Sequence, residues 1–260
     1  MRIDLRQGDC VEYLESLPAE SVDLIVADPP YAIGFDGGRG WDRQWASEAD
    51  YLEWCATWTA QCVRVLRPER MLVVWGTLKT DTFLRYKLDV LNSQPELTGQ
   101  NEIIWSYNWG GRSSRNFARK HEYAWCYSKG PAFLFNADDV RVARKVTTNL
   151  RTGEPYTRGT IPTMVWEFNN HTTSREHCGW HPTTKNLAVM ERIIRAYTNP
   201  GDVVCDPFAG SASTAIAAAR AGRDFTGVEL DRYYWDLARQ RVLDLVPDAT
   251  LAPPSPAPAP

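Results

Sequence analysis

A short apolar run that ends in an acid and two prolines constrains this sequence more than any other feature. The run from Val22 to Ala27 is followed directly by Asp28-Pro29-Pro30-Tyr31. An apolar run of this length indicates a buried strand of a parallel sheet, and ligands of open α/β sheets bind outside the carboxyl ends of such strands. Prolines lack N–H donors and cannot continue a strand. We therefore predict a rigid turn that faces a crevice.

The same four residues bring together groups that suit a flat, amino-bearing ring. A carboxylate and backbone carbonyls accept hydrogen bonds, and an aromatic side chain stacks on a ring face. Enzymes that act on a nucleobase outside its stack need such contacts. A proline-rich turn with no role beyond ending the strand is the alternative interpretation of the tetrapeptide.

A second motif lies much later in the chain. The segment Asp202–Thr214 is predicted to form an apolar strand and then a turn of small residues, and Ala215–Ala221 a helix that Gly222 ends. Asp224–Leu230 is predicted to be the next strand, and its Glu229 follows Gly210 by 19 positions. In nucleotide-binding βαβ units an acid at about this distance from the glycine turn binds ribose hydroxyls.

Together the two motifs resemble the β-class DNA amino-methyltransferases, which use S-adenosylmethionine and methylate adenine N6 or cytosine N4. In that family Asp-Pro-Pro-Tyr precedes a target-recognition segment and Phe-x-Gly-x-Gly comes last, as Phe208–Ala212 does here. Gly8-Asp9-Cys10 and His181–Asn186 resemble two further family segments. The resemblance covers about residues 3 to 243. It implies a Rossmann-like α/β fold with a mostly parallel, seven-stranded twisted sheet, helices on both faces, a circularly permuted motif order and an inserted DNA-recognition segment.

The resemblance also implies site residues. The catalytic residues are Asp28, Pro29, Pro30 and Tyr31. The residues that bind S-adenosylmethionine are Asp9, Cys10, Asp28, His181, Thr183, Lys185, Asp206, Phe208, Ala209, Gly210, Ser211, Ser213, Thr214, Glu229 and Leu230. The residues that contact DNA, by resemblance and charge, are Arg39, Trp41, Trp109, Arg112, Ser113, Arg115, Asn116, Arg119, Lys120, Arg144 and Lys145.

Two positions depart from the family pattern. Ala212 stands where the family has its second glycine, which we expect to add a methyl group near the cofactor, and Asn186 stands where it has proline. Neither change removes a polar group. We expect an altered cofactor affinity at most.

The charge distribution predicts one face that meets DNA. The net charge is −3 over the whole chain, but residues 100–160 contain ten Lys/Arg and five Asp/Glu, which leaves about −8 for the rest. A basic segment on an otherwise acidic protein can bind phosphates while the remainder limits nonspecific binding. Solvated loop charges without a partner are the alternative interpretation.

The resemblance, together with the patterns along the chain, implies four segments. Residues 1–100 form the catalytic half, 101–178 the target-recognition insertion, 179–246 the cofactor-binding half, and 247–260 a disordered Pro/Ala tail. Residues 33–42 contain four glycines and are predicted to form a mobile lid, and Ser47 is predicted to cap the helix that follows.

Composition limits the remaining classes. No apolar run is long enough to cross a membrane, and we expect a cytoplasmic protein. The six cysteines form no Cys-x-x-Cys pair, which argues for reduced thiols and against a zinc ribbon. His177, Cys178 and His181 lack a fourth ligand, and no metal site is predicted.

We expect methylation of adenine N6 in double-stranded DNA, because the resemblance associates Asp in the first motif position with adenine. Methylation of cytosine N4, methylation of RNA, and a non-catalytic module that binds S-adenosylmethionine and DNA stay open. A dinucleotide oxidoreductase is disfavoured since Gly-x-Gly-x-x-Gly is missing. The family further suggests a homodimer and a cognate restriction endonuclease as partners.

Overall fold

The computed structural model describes residues 1–108, 112–149, 151–169, 176 and 178–253. The strands are β1 (Arg2–Gln7), β2 (Val22–Ala27), β3 (Leu66–Gly76), β4 (Leu97–Ser106), β5 (His121–Lys129), β6 (Val165–Glu167), β7 (Val203–Asp206), β8 (Asp224–Glu229) and β9 (Thr250–Leu251). The α-helices are α1 (Cys10–Ser16), α2 (Glu48–Val65), α3 (Asp81–Arg85), α4 (Leu187–Tyr197), α5 (Ser213–Arg220) and α6 (Arg232–Leu245). A π-helical turn (Tyr86–Leu91) follows α3, and a 3₁₀ turn (Ala137–Val140) follows β5.

The strands pair in the order β6-β4-β5-β3-β2-β7-β8-β1-β9. Strand β5 runs antiparallel to both of its neighbours, whereas the other pairs are parallel. The predicted mostly parallel sheet is confirmed. The predicted number of seven strands is wrong for the described residues, which form nine, because the short strands β6 and β9 extend the two edges.

Helices cover both faces of the sheet, and the alternation of side chains along β2 explains how. Leu24 and Val26 pack in one core with residues of α4, α5 and α6, while Ile25 and Ala27 pack in a second core with α1, α2 and α3. All six residues of β2 are buried, as expected for a strand with helices on both sides. The six cysteines are buried free thiols.

Polar caps set the start of the helices that lead to the site. Asp9 accepts hydrogen bonds from Val11 and Glu12 at the start of α1, and Asp231 caps α6 in the same way. Ser47 accepts one from Asp50 at 3.2 Å, which confirms the predicted cap of α2.

Part of the segment 101–178, predicted to be the target-recognition insertion, belongs to the central sheet. Strands β4 and β5 form a hairpin that pairs with β3, and β6 returns to pair with β4. Among the described residues, those of this segment that lie outside the sheet are therefore 107–108 and 112–120, between β4 and β5, and those after β5 other than β6.

The predicted disordered tail is wrong at its beginning. Thr250 donates a backbone hydrogen bond to Met1 at 2.9 Å, and Ala252 donates one to Ile3 at 2.8 Å. In this way the two-residue strand β9 forms hydrogen bonds with backbone groups at the outer edge of β1. Residues 254–260 lie outside the described part of the chain.

In the described part of the chain, no helix combines the length and the apolar character that crossing a lipid bilayer requires.

Candidate active site

Asp28 lies where β2 ends, and two side chains fix its carboxylate. The Tyr31 hydroxyl donates to Oδ1 at 2.6 Å, and the Lys185 ammonium donates to Oδ2 at 2.6 Å. Burial, followed by the nearby Asp28 carboxylate, raises the pKa of Tyr31 well above its ordinary value, so the phenol stays a donor. Asp28 thus has one defined orientation at the end of the strand.

The backbone after Asp28 provides a further acceptor. Among the described residues, none donates a hydrogen bond to the Pro29 carbonyl, as predicted. The Pro30 carbonyl accepts one from the Tyr51 hydroxyl at 2.8 Å, and the expectation that it would be free is therefore wrong. Tyr51 lies on α2 and ties the turn to the helix layer.

Lys185 is a buried cation held between two acids. Its side chain is 6% exposed, and its ammonium lies 2.6 Å from Asp28 Oδ2 and 3.1 Å from Glu122 Oε2. Burial alone would lower the pKa of Lys185, but the two carboxylates outweigh burial and raise it. The ammonium is therefore charged at every physiological pH.

The turn between β7 and α5 has the features that the sequence predicts for a nucleotide site. Gly210 has a φ of +50°, and a Cβ there would lie 3.0 Å from His181 Nε2. Asp206 is 3% exposed, and its carboxylate accepts hydrogen bonds from the Phe208 amide and the Thr214 hydroxyl. Burial raises the pKa of Asp206 to about 7.

Glu229 lies across from this turn at the end of β8. Its carboxylate accepts hydrogen bonds from the Gly210 and Asp231 amides, each at 2.8 Å. Burial raises the pKa of Glu229 to about 7. A ligand that donates hydrogen bonds or carries positive charge would favour its ionised form.

His181 closes one side of the cavity as a neutral ring. Burial lowers its pKa to about 4, and its Nδ1 accepts a hydrogen bond from the Thr183 amide at 3.4 Å. Its ring centroid lies 4.6 Å from that of Tyr234. An uncharged imidazole at this place packs against the Gly210 turn.

A single cleft joins these groups. It encloses about 890 Å³, its mouth included, and lies at the carboxyl ends of the adjacent strands β2, β7, β8 and β1. All fifteen residues predicted to bind the cofactor line it, from Asp9 in the early segment to Leu230 after β8. The structure therefore brings together residues that are far apart in sequence.

Some residues of the site were missed by sequence reasoning. Gln44, Trp54 and Tyr234 line the cleft, and Glu122 contacts Lys185 beside it. The spacing of Trp54 in α2 predicted packing only, and no local signal singled out Gln44 or Tyr234. His121-Glu122-Tyr123 resembles another family segment, and this pattern fits a hydrogen-bonded pair that supports a turn as well as it fits a direct catalytic role.

The glycine-rich segment 33–42, predicted to be a mobile lid, is held by buried acids. Asp42 accepts backbone hydrogen bonds from Ala32, Ile33 and Phe35, and Asp36 accepts them from Gly38 and Gly40. Both aspartates are at most 3% exposed. This is a loop with its own hydrogen-bond network.

The side chain of Arg39 connects the same loop to the start of α6. The Arg39 guanidinium donates to both oxygens of Asp231, at 2.6 and 2.9 Å, and lies over the rings of Tyr233 and Tyr234. Trp41 lines the cleft. Two of the residues predicted to contact DNA thus border the predicted cofactor site.

The other residues predicted to contact DNA lie mainly on two loops. Residues 112–119 between β4 and β5 are exposed, and they contain Arg112, Ser113, Arg115, Asn116 and Arg119. Lys120 donates to the Asn108 carbonyl at 3.0 Å, and Arg119 donates to the Leu78 carbonyl at 3.1 Å. Trp109 lies outside the described residues.

Arg144 and Lys145 belong to the second loop. The Arg144 guanidinium lies 3.9 Å from the centroid of the Tyr156 ring, while Lys145 is exposed. Antiparallel bridges join Val142 to Thr160 and Thr148 to Pro155, so the described residues on either side of these bridges run back along each other. The loop presents basic side chains without joining the sheet.

Ala212, the first departure from the family pattern, faces the core and not the cleft. It is fully buried, packs in the α4–α6 core, and is not part of the cleft lining. Its φ of +60° is a left-handed conformation that costs alanine more than glycine. The expectation of a methyl group near the cofactor is therefore wrong.

Asn186, the second departure, caps α4. Its side-chain oxygen accepts hydrogen bonds from the amides of Ala188 at 2.9 Å and Val189 at 3.3 Å. Proline has no side-chain acceptor for these amides. In this chain the asparagine therefore supports the helix that begins directly after it.

We expect Asn186→Ala to lower the free energy of unfolding by about 1 kcal/mol, because the variant lacks the capping oxygen. Asn186→Ser is the matched control, since its hydroxyl can still accept from the helix amides. Urea unfolding of both variants measures the difference. Equal stabilities of the alanine and serine variants would contradict the capping role.

The comparisons with known proteins agree with this geometry. A family model described as DNA methylase matches residues 22–240. The chain is 32% identical over 246 residues to the DNA adenine methyltransferase YhdJ of Escherichia coli (strain K12), with 90% of this chain and 81% of that protein covered. It is 30% identical over 236 residues to the type II methyltransferase M.HpaI of Haemophilus parainfluenzae, with 90% and 72% covered.

Solved structures show the same fold. The crystal structure of the M1.HpyAVI–SAM complex matches with a TM-score of 0.64 at 25% identity, and the match covers 92% of this chain and 98% of that one. With a family model that spans most of the sequence and relatives that align over nine tenths of it, the chain belongs to the N6/N4 DNA methylase family.

Proposed function

We propose that this DNA methylase transfers the methyl group of S-adenosylmethionine to N6 of an adenine turned out of double-stranded DNA. One observation carries the proposal: the Asp28 carboxylate, fixed by Tyr31 and Lys185, lines the same cleft as Gly210 and Glu229. An acceptor for an amino group therefore borders a space suited to a nucleoside.

The residues of the cleft fit S-adenosylmethionine. Glu229, at the end of β8, would accept hydrogen bonds from the ribose hydroxyls. Asp9 and Asp206 also line the cleft, and their carboxylates suit a cationic ligand. When bound, this cofactor supplies a methyl carbon that its sulfonium already activates.

Asp28 and the Pro29 carbonyl would act on the target amino group. The nitrogen of that group is a poor nucleophile because its lone pair conjugates with the ring. Two acceptors for its N–H bonds would favour a tetrahedral nitrogen whose lone pair points at the methyl carbon. The work of these residues is alignment and fixed electrostatics, with no covalent bond to the enzyme.

Adenine is the favoured target for two reasons. The motif at Asp28 begins with the residue that the family resemblance associates with adenine. The relative from Escherichia coli, 32% identical, has the name of a DNA adenine methyltransferase. Cytosine N4 is the second candidate, since the family includes both activities.

The basic loops would contact the DNA backbone and bases. The described residues of 112–119 and 142–160 include exposed Arg and Lys side chains and no α-helix. Phosphate contacts set affinity, whereas Arg and Asn side chains can also distinguish base edges in the major groove.

We expect Arg112→Ala and Arg115→Ala each to weaken DNA binding. The slope of log affinity against log salt should become shallower by about 0.9 for each phosphate that the variant no longer neutralises. Arg2→Ala is the control, because Arg2 is exposed at the amino end of β1, opposite the cleft. Fluorescence anisotropy at several salt concentrations measures the slopes. Slopes that stay equal to wild type would remove this loop from the interface.

Three further expectations accompany this function. A homodimer and a cognate restriction endonuclease are the protein partners that the family suggests, and the cytoplasm is the compartment where such an enzyme meets DNA. Measurement of the molar mass in solution tests the dimer.

Transfer of tritium from labelled S-adenosylmethionine to duplex DNA tests the function directly. We expect label in DNA, and we expect excess RNA to compete weakly. Effective competition by RNA would favour RNA as the substrate. Tight cofactor binding without any transfer would favour the non-catalytic module.

A further inference from the structure

We propose that Glu122 is a positioning residue for methyl transfer, which acts through Lys185 on Asp28. The inference rests on the proposed function and adds to it a residue outside the two sequence motifs. Glu122 lies at the start of β5, Asp28 follows β2, and Lys185 precedes α4. Three separate segments therefore meet at one ammonium group.

Two carboxylates neutralise the buried charge of Lys185: Asp28 forms a hydrogen-bonded ion pair with it, and Glu122 Oε2, which is buried and accepts no hydrogen bond among the described residues, forms an ion pair. A buried charge is costly unless it is paired and hydrogen-bonded. The Lys185 ammonium has Asp28 Oδ2 at 2.6 Å and Glu122 Oε2 at 3.1 Å, and it lies 5.3 Å from the centroid of the Trp75 ring. Without the Glu122 charge, Asp28 would be the one carboxylate left on this cation among the described residues.

The main chain of Lys185 is also fixed. Its carbonyl accepts a hydrogen bond from the Ser213 hydroxyl at 3.0 Å, at the first residue of α5. The backbone of Lys185 is thus attached to the predicted cofactor turn while its side chain reaches Asp28. Glu122 determines where the free end of this side chain rests.

The hydrogen bonds of Asp28 show why its position matters. A carboxylate has about four acceptor sites, and Tyr31 and Lys185 each use one of them. The remaining sites are available to a target amino group only in the orientation that these two donors impose. A shift of the Lys185 ammonium would rotate the Asp28 carboxylate away from the target amino group. A misplacement of reacting groups by about 1 Å can lower the rate roughly 100-fold.

The charge of Glu122 also sets the net charge of the cluster that it forms with Asp28 and Lys185. Asp28, Lys185 and Glu122 together carry a net charge of −1 when all three are ionised, and the loss of the Glu122 charge makes this cluster neutral. A negative cluster at this place favours the positive charge that develops on the target amino group during transfer, which affects the rate and not the binding of the cofactor.

The test compares Glu122→Gln with wild type in single-turnover methylation at saturating S-adenosylmethionine, together with equilibrium binding of the cofactor. Glutamine keeps the size of the side chain but not its charge. We expect a rate about 10- to 100-fold lower, with a cofactor Kd within about twofold of wild type. Glu102→Gln is the control. Glu102 lies on β4, the strand next to β5, where it pairs with Lys87, and it does not line the cleft.

A double-variant cycle shows whether Glu122 acts through Lys185. If it does, the double variant Glu122→Gln/Lys185→Met will be about as slow as Lys185→Met. Without the Lys185 ammonium, the loss of the Glu122 charge can no longer change the position of Asp28. The double variant also removes one negative and one positive charge, which keeps the buried site balanced if Lys185→Met alone does not fold.

Each contrary result has a distinct meaning. A Glu122→Gln rate equal to wild type, a defect confined to cofactor affinity, or effects that multiply in the double variant would each overturn the positioning role. A wild-type protein that transfers no label to DNA would remove the proposed function and this role together.

Discussion

Replacing Asp28 with alanine is expected to lower the single-turnover rate of methyl transfer on the order of 10²–10⁴-fold, while S-adenosylmethionine still binds. The carboxylate is the acceptor that would prepare the target nitrogen, and no other described carboxylate contacts Tyr31 and Lys185 together. Cofactor affinity should change little, because Gly210 and Glu229 lie on other strands of the cleft.

Two variants make this result interpretable. Asp28→Asn keeps the shape of the side chain and separates the effect of charge from the effect of packing. Asp236→Ala is the surface control, since Asp236 is exposed on α6 and pairs with Arg232. Rapid-quench measurement of labelled DNA gives the rates. A rate for Asp28→Ala within a few-fold of wild type would contradict the assigned role.

The affinity for S-adenosylmethionine is expected to fall as the pH falls through 7. Burial raises the pKa of both Asp206 and Glu229 to about 7, from ordinary values near 4. Below pH 7 both groups are largely protonated in the free protein, whereas ribose hydroxyls and a sulfonium favour the ionised forms. If one group must ionise on binding, affinity at pH 6 is about 10-fold lower than at pH 8, and if both must, about 100-fold.

Glu229→Gln separates the two acids. We expect this variant to bind the cofactor about 10- to 100-fold more weakly at pH 8 and to lose part of the pH dependence, since Asp206 remains. Glu96→Gln is the control, because Glu96 is exposed just before β4, at the opposite end of the sheet. Calorimetry in two buffers of different ionisation enthalpy counts the protons released. Equal affinities at pH 6 and pH 8 would contradict the linkage.

The central part of this structure could be predicted from local sequence patterns. The apolar run before Asp28 and the small-residue turn around Gly210 each specify a strand and its end. Since parallel strands place their carboxyl ends at one edge, the two motifs had to meet in one crevice. The spacing from Gly210 to Glu229 then places an acid opposite the turn.

The features that local sequence patterns did not predict depend on contacts between segments that are distant in the sequence. The interaction of Glu122 with Lys185 needs β5 to lie in the central sheet, which a charge count over residues 100–160 could not indicate. The cleft-lining role of Tyr234 depends on how α6 packs on the sheet. A two-residue strand such as β9 is too short to show any periodicity.

The central claim is that the enzyme methylates adenine N6 in DNA, and one measurement tests it most directly. Unmethylated duplex DNA of mixed sequence is incubated with the purified protein and labelled S-adenosylmethionine, digested to nucleosides and separated by chromatography. The proposal predicts label in N6-methyladenine, absent when Asp28→Ala replaces wild type. Label in N4-methylcytosine would contradict the assigned target, and no label at all from a protein that binds the cofactor would contradict the enzyme itself.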